Sequence, residues 1–146
     1  MDILTPLKRS ERMSLIRAKD TKPELTVRRL IHSMGFRYRL HSNNLPGKPD
    51  LVFTRQKKAI FVHGCFWHLH DYCKKARLPK SNLDYWYPKL TGNKTRDLLN
   101  QTKLESLGWK ILVVWECEVN DLIKLTSKLI NFLCNNSFTI DHRTKR

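Results

Sequence analysis

Pro49-Asp50-Leu51-Val52-Phe53 is a short apolar run opened by an acid, and Ala59-Ile60-Phe61-Val62 follows it closely. Thr54 to Lys57 is polar and reads as a turn. The two runs are too short for helices and read as buried strands. Paired antiparallel, they bring Asp50 toward the far end of the second strand, near Val62 and His63.

Upstream, Thr21 and Glu24 have capping-box spacing, and Pro23 suits a first helical turn. Leu25, Leu30, Ile31 and Met34 recur at helical intervals, and Gly35 ends the pattern. Phe36 to Leu40 alternates apolar with basic, as a half-buried strand does. Asn43 to Lys48 is a loop. Downstream, residues 63–91 read as irregular. Asn93 to Leu107 is expected to be a helix closed by Gly108. Trp109 to Trp115 is expected to be a strand, and Val119 to Leu133 a final amphipathic helix. The order predicts an α/β fold with a mixed central sheet flanked by helices.

The chain has 146 residues, 40% of them hydrophobic, which suits one compact domain. No stretch approaches the roughly 18 apolar residues of a membrane span, and Met1 to Pro6 lacks the apolar segment of a secretory signal. A cytoplasmic protein is expected, nucleoid-associated when bound to DNA. Lys and Arg number 28 against 13 Asp and Glu, a net charge of +15. That excess suits a nucleic-acid partner, although a ribosome-associated basic protein shares it. Residues 1–20 form a basic arm, with Arg17 and Lys19 among its cations, expected to order on a polyanion. Residues 21–134 form the folded domain, and 135–146 a polar tail expected to be flexible.

Three His and two Cys crowd into His63-Gly64-Cys65-Phe66-Trp67-His68-Leu69-His70-Asp71-Tyr72-Cys73. In a reducing compartment such cysteines read as metal ligands rather than disulfides. Cys65, His70, Cys73 and Cys117 make a complete Cys₃His set for structural zinc; buried free thiols are the plainer alternative. Asp50, His68, His63 and Glu24 form a second constellation. A carboxylate and a nearby main-chain oxygen, such as that of Val62, suit magnesium, and a neutral His68 suits a general base. Asp50 as a turn cap, Glu24 as a helix cap and His68 as a zinc ligand in place of His70 remain open on the residues alone. Phe66 and Trp67, with Tyr85, Trp86 and Tyr87, offer apolar wedges for a base step, or a cluster packing the cysteine loop.

The chain resembles the very-short-patch-repair (Vsr) DNA mismatch endonucleases. The resemblance rests on Arg9-Ser10, Met13 to Arg17, Lys19-Asp20-Thr21, Pro46 to Asp50, Phe61 to His68, Asn93, Arg96-Asp97, Gly108-Trp109 and Val114 to Cys117. It implies a restriction-endonuclease-like fold with a structural zinc site. It implies that Asp50 binds magnesium beside the Val62 carbonyl, that His68 is the general base, that His63 assists at the phosphate and that Glu24 supports this cluster. Asn93 would lie at its edge, and Phe66, Trp67 and Trp86 would wedge into DNA. Zinc would sit on Cys65, His70, Cys73 and Cys117. Val62 and His63 stand where restriction enzymes usually carry an acid and a lysine, as the family pattern has it. The implied reaction is a nick 5′ to the T of a T·G mismatch left by 5-methylcytosine deamination. The implied partners are mismatched duplex DNA, a functionally linked cytosine-5 methyltransferase and, as candidate recruiters, mismatch-repair proteins. A monomer suffices for a nick. The competing expectations are a restriction endonuclease of the same fold and a non-enzymatic zinc-stapled DNA-binding domain.

Overall fold

A computed structural model describes residues 20–135. Arg17 and Lys19, with nearly all of the expected arm and tail, lie outside the described residues. Helix α1 spans Lys22–Ser33. Thr21 is its N-cap, with Oγ1 accepting the Glu24 amide at 3.4 Å. Gly35 follows the helix at φ +92°, a left-handed turn that glycine adopts without strain. Strand β1 is only Arg39–Leu40, both residues exposed, rather than the expected Phe36–Leu40. It lies at a sheet edge, and Phe36 and Tyr38 instead pack against the core from outside the ladder.

Strands β2 (Leu51–Phe53) and β3 (Lys58–His63) form the expected hairpin, with Leu51 opposite Ile60. Strand β4 (Lys110–Trp115) lies parallel to β3, pairing His63 with Trp115. The sheet is therefore mixed, in the order β1-β2-β3-β4. Helix α2 spans Leu83–Ser106 and starts ten residues before the expected Asn93. Trp86 and Leu90, one turn apart, are both buried and anchor the early turns, although Pro88 lacks the amide that would bond to Asp84. Helix α3 spans Leu122–Cys134, later than the expected Val119 start. Glu116–Asn120 forms a 3₁₀ turn before it, and Asp121 caps α3 by accepting the Lys124 amide at 3.2 Å.

One core cluster joins Val27 and Ile31 of α1, Leu51, Phe53, Ile60 and Val114 of the sheet, and Leu125, Leu129 and Leu133 of α3. Each such side chain contributes about 1.5–3 kcal/mol by leaving water. Val52, Ala59 and Phe61 alternate with these strand residues and are also buried, outside that cluster, and α2 packs against β4. Gly47 shows how closely that helix packs: a Cβ there would sit 3.0 Å from the Asn100 Cβ and 3.2 Å from the Phe61 ring. The hairpin and the two helices α1 and α2 thus converge on one end of β3, where the candidate residues gather.

Candidate active site

Asp50 immediately precedes β2, and its amide donates to the Ile60 carbonyl at 3.1 Å. Its Oδ2 accepts the Val62 N–H at 2.7 Å. The acid thus lies against the Val62 main chain, where the hairpin reading put it. Burial pushes the Asp50 pKa up to about 6; the Val62 hydrogen bond opposes this, and the nearby Glu24 charge adds to it. A carboxylate held this way is short of positive charge.

His63 ends β3 and is buried. His68 follows in the turns after it, its amide donating to the Gly64 carbonyl at 3.1 Å. The two imidazoles stack at 3.9 Å with 4° between their planes. Asp97 of α2 reaches His68 Nδ1 with Oδ2 at 2.5 Å. This bond fixes the ring and leaves Nε2 as its other nitrogen. Burial, then the neighbouring His68, drives the His63 pKa down to about 4, so His63 is neutral near pH 7. Its Nδ1 is buried without a hydrogen-bond partner among the described residues. Donor atoms of His63, His68 and Asp97 lie within 4.8 Å of one another. Parallel stacked rings, however, aim their lone pairs side by side rather than at one point, which favours a proton-handling pair over a chelate.

Glu24 is 2% exposed, far more buried than a simple helix cap. The reciprocal half of the capping box is absent: its Oε1 accepts the Asp20 amide at 3.1 Å instead of the Thr21 amide. Its Oε2 takes a hydrogen bond from Arg28 and lies 2.6 Å from His41 Nε2. The His41 amide donates to the Asp50 carbonyl at 3.0 Å. Glu24 and Asp50, on different elements, are therefore joined through His41. Neither His41 nor Arg28 stood out in the sequence, and Asp97 carried no assigned role there. All three come from segments distant from the histidine- and cysteine-rich loop, and nothing in the local pattern points to them.

Cys65, His70, Cys73 and Cys117 converge, with donor atoms within 4.8 Å of one another. The Cys65 and Cys117 sulfurs lie 3.5 and 3.6 Å from His70 Nδ1. His70 stacks on Trp115 at 4.0 Å. The parallel β3–β4 pairing brings Cys117 to this loop. No described cysteine is in a disulfide, and Cys134 stands apart, exposed at the end of α3. Burial pushes the Cys65 thiol up to about 12 and raises Cys117, whereas the Lys75 amide lowers Cys73. Such a set is a candidate metal centre.

The aromatic residues also come together. Phe66 lies 5.1 Å from Trp67 and 5.4 Å from Trp86, ring centre to ring centre. Trp86 is 8% exposed and backs the other two. Asn93 donates to the Trp67 carbonyl at 3.0 Å, and Arg96 donates to Asn93 Oδ1 at 2.6 Å. Asn93 therefore holds the aromatic loop, one helical turn from Asp97.

The same arrangement of elements occurs in a known nuclease. The catalytic domain of the homing endonuclease I-Bth0305I matches 79% of this chain and 96% of its own, with a TM-score of 0.55 and 21% identity. The fold is thus that of an endonuclease catalytic domain. Residues 1–75 match the family described as DNA mismatch endonuclease Vsr. A type II nicking enzyme of Xanthomonas oryzae pv. oryzae is 48% identical over 132 residues, covering 90% of this chain and 96% of that protein. The DNA mismatch endonuclease Vsr of Escherichia coli K12 is 35% identical over 129 residues, covering 88% and 82%. The chain belongs to the Vsr family, and it is a DNA endonuclease, a hydrolase. No helix among the described residues is long and apolar enough to cross a membrane.

Proposed function

We propose that this chain nicks one strand of duplex DNA 5′ to the T of a T·G mismatch, using magnesium for catalysis and zinc for structure. The observation that carries the reading is the meeting of Asp50, the Val62 main chain and the Asp97-bound His68 at one end of β3. Asp50 and the Val62 carbonyl are hard oxygen donors, which fit magnesium. The raised pKa of the half-buried Asp50 is what a carboxylate awaiting a cation displays. When bound, magnesium supplies a Lewis acid at the scissile phosphate. His68 accepts the proton of the attacking water at Nε2. Asp97 holds the His68 ring and stabilises the imidazolium as it forms. His63, neutral and stacked on His68, would assist at the phosphate. Glu24 supports the cluster from α1.

Three soft thiols and an imidazole fit zinc, and their spacing suits a tetrahedral ion. Zinc on Cys65, His70, Cys73 and Cys117 would tie the loop of Phe66 and Trp67 to the end of β4. These two rings, backed by Trp86, would enter the stack beside a mispair, where opening costs least. Arg17, Lys19 and the rest of the arm would meet phosphates. The relatives named as nicking enzymes support single-strand cleavage. A purely binding module gains nothing from Asp50 and Glu24, because uncompensated carboxylates repel the DNA backbone. The same reading makes the chain a monomer in the cytoplasm, linked to a cytosine-5 methyltransferase whose product deaminates to T and open to recruitment by mismatch-repair proteins.

A nicking assay on a denaturing gel tests this. Duplexes differing only at one T·G pair are compared with and without magnesium, across flanking sequences. One magnesium-dependent nick 5′ to the T is expected. Double-strand cleavage of matched duplex would replace this reading with a restriction enzyme.

A further inference from the structure

We infer that His41 is a positioning residue that holds Glu24 in register with Asp50, the carboxylate of the proposed magnesium site; the inference rests on the reading of Asp50 above. Asp50 stands at the start of β2 and Glu24 in the first turn of α1. Both are acids in a site of low exposure, and the Glu24 charge works against ionisation of Asp50. Something must hold the two in register against that repulsion. His41 touches both: its amide donates to the Asp50 carbonyl at 3.0 Å, and its Nε2 lies 2.6 Å from Glu24 Oε2. His41 makes both contacts from a left-handed backbone, φ 47°, which is uncommon for a residue other than glycine. The strain is local and sits beside the chemistry.

Arg28 defines what this cluster does. Asp20, Glu24 and His41 place donor atoms within 4.8 Å of one another and so resemble a metal site. The Arg28 guanidinium is already there, however. Its Nη2 donates to Asp20 Oδ1 at 2.6 Å, donates to Glu24 Oε2 and lies 3.3 Å from His41 Nε2. A side-chain cation occupies the seat. The Glu24 carboxylate is aimed by Arg28 on one side and His41 on the other. The cluster is a frame for the neighbouring Asp50 site rather than a second ion site.

Two variants separate position from mere folding. Asparagine tolerates left-handed backbone but is too short to reach Glu24; glutamine is long enough to restore the donor. Magnesium-dependent nicking and the magnesium-induced rise in thermal midpoint without DNA are measured for H41N and H41Q. H41N is expected to need about tenfold more magnesium in both measurements, with KM for DNA unchanged. H41Q is expected to regain most of the difference. Wild-type magnesium dependence in H41N, or equal loss in H41N and H41Q, would overturn the role. D50A is run alongside: full nicking by D50A would overturn the Asp50 reading itself, whichever way the His41 variants behave.

Discussion

Asp50 is stabilised as the neutral acid in the metal-free fold, and this has a measurable sign. Its folded pKa, about 6, lies above the ordinary 3.8. The associated stability is fully present below pH 3.8 and is lost as pH rises through 6. His63 runs the other way: its folded pKa of about 4 lies below 6.5, so its contribution is present above pH 6.5 and lost as pH falls through 4. The raw stability curve mixes the two, and a difference between variants isolates one. Asp50→Asn is expected to gain about 1–3 kcal/mol relative to the parent chain between pH 4 and pH 7 in magnesium-free buffer. Denaturant titrations at both pH values check this, and a gap that does not change with pH refutes it. The same variant is expected to lose nicking altogether. For Asp97→Asn, with the His68 ring no longer held by a carboxylate, nicking is expected to fall by about 10²–10⁴-fold in kcat with KM for DNA little changed. Single-turnover kinetics decide this; an unchanged kcat would remove Asp97 from the mechanism.

At the scale of elements, the hairpin was legible because its signal is local: two apolar runs and a polar turn put Asp50 beside Val62, and the register agrees. The cysteine set was legible for a similar reason, since three of its four members share one loop. The sequence pattern predicts a shorter α2, because Pro88 and the aromatic run mask a helical spacing that only the burial of Trp86 and Leu90 reveals. His41, Arg28 and Asp97 were not legible as site residues. Each reaches the site through tertiary packing that leaves no periodicity behind. Lys58 is a further case. In a strand it looks like an exposed cation, yet it is 1% exposed. Its Nζ donates to the carbonyls of Phe132, Leu133 and Asn135 at 2.7, 3.2 and 3.2 Å and so closes the C-terminus of α3. Lys58→Met is expected to cost about 1–3 kcal/mol by leaving those carbonyls unpaired. Urea denaturation measures it, and a variant as stable as the parent would show that the cap contributes nothing.

For the whole molecule, a charge of +15 makes DNA affinity a function of salt. The logarithm of the binding constant is expected to fall linearly with the logarithm of salt concentration. Removing residues 1–19, which include Lys8, Arg9, Arg12, Arg17 and Lys19, is expected to make that slope shallower; fluorescence anisotropy on one duplex gives both slopes, and identical slopes would exclude the arm from phosphate contact. The parallel pairing of β3 with β4 carries a different consequence, for the order in which the chain assembles. Cys65, His70 and Cys73 are near neighbours in sequence and can be gathered early, whereas Cys117 joins them only after β4 has docked beside β3. Closing that long loop is slow relative to local structure. A metal ion captured early by three ligands would therefore wait for its fourth. The time at which its coordination becomes complete would mark the moment the sheet closes, a clock for folding built into the same loop that carries Phe66 and Trp67.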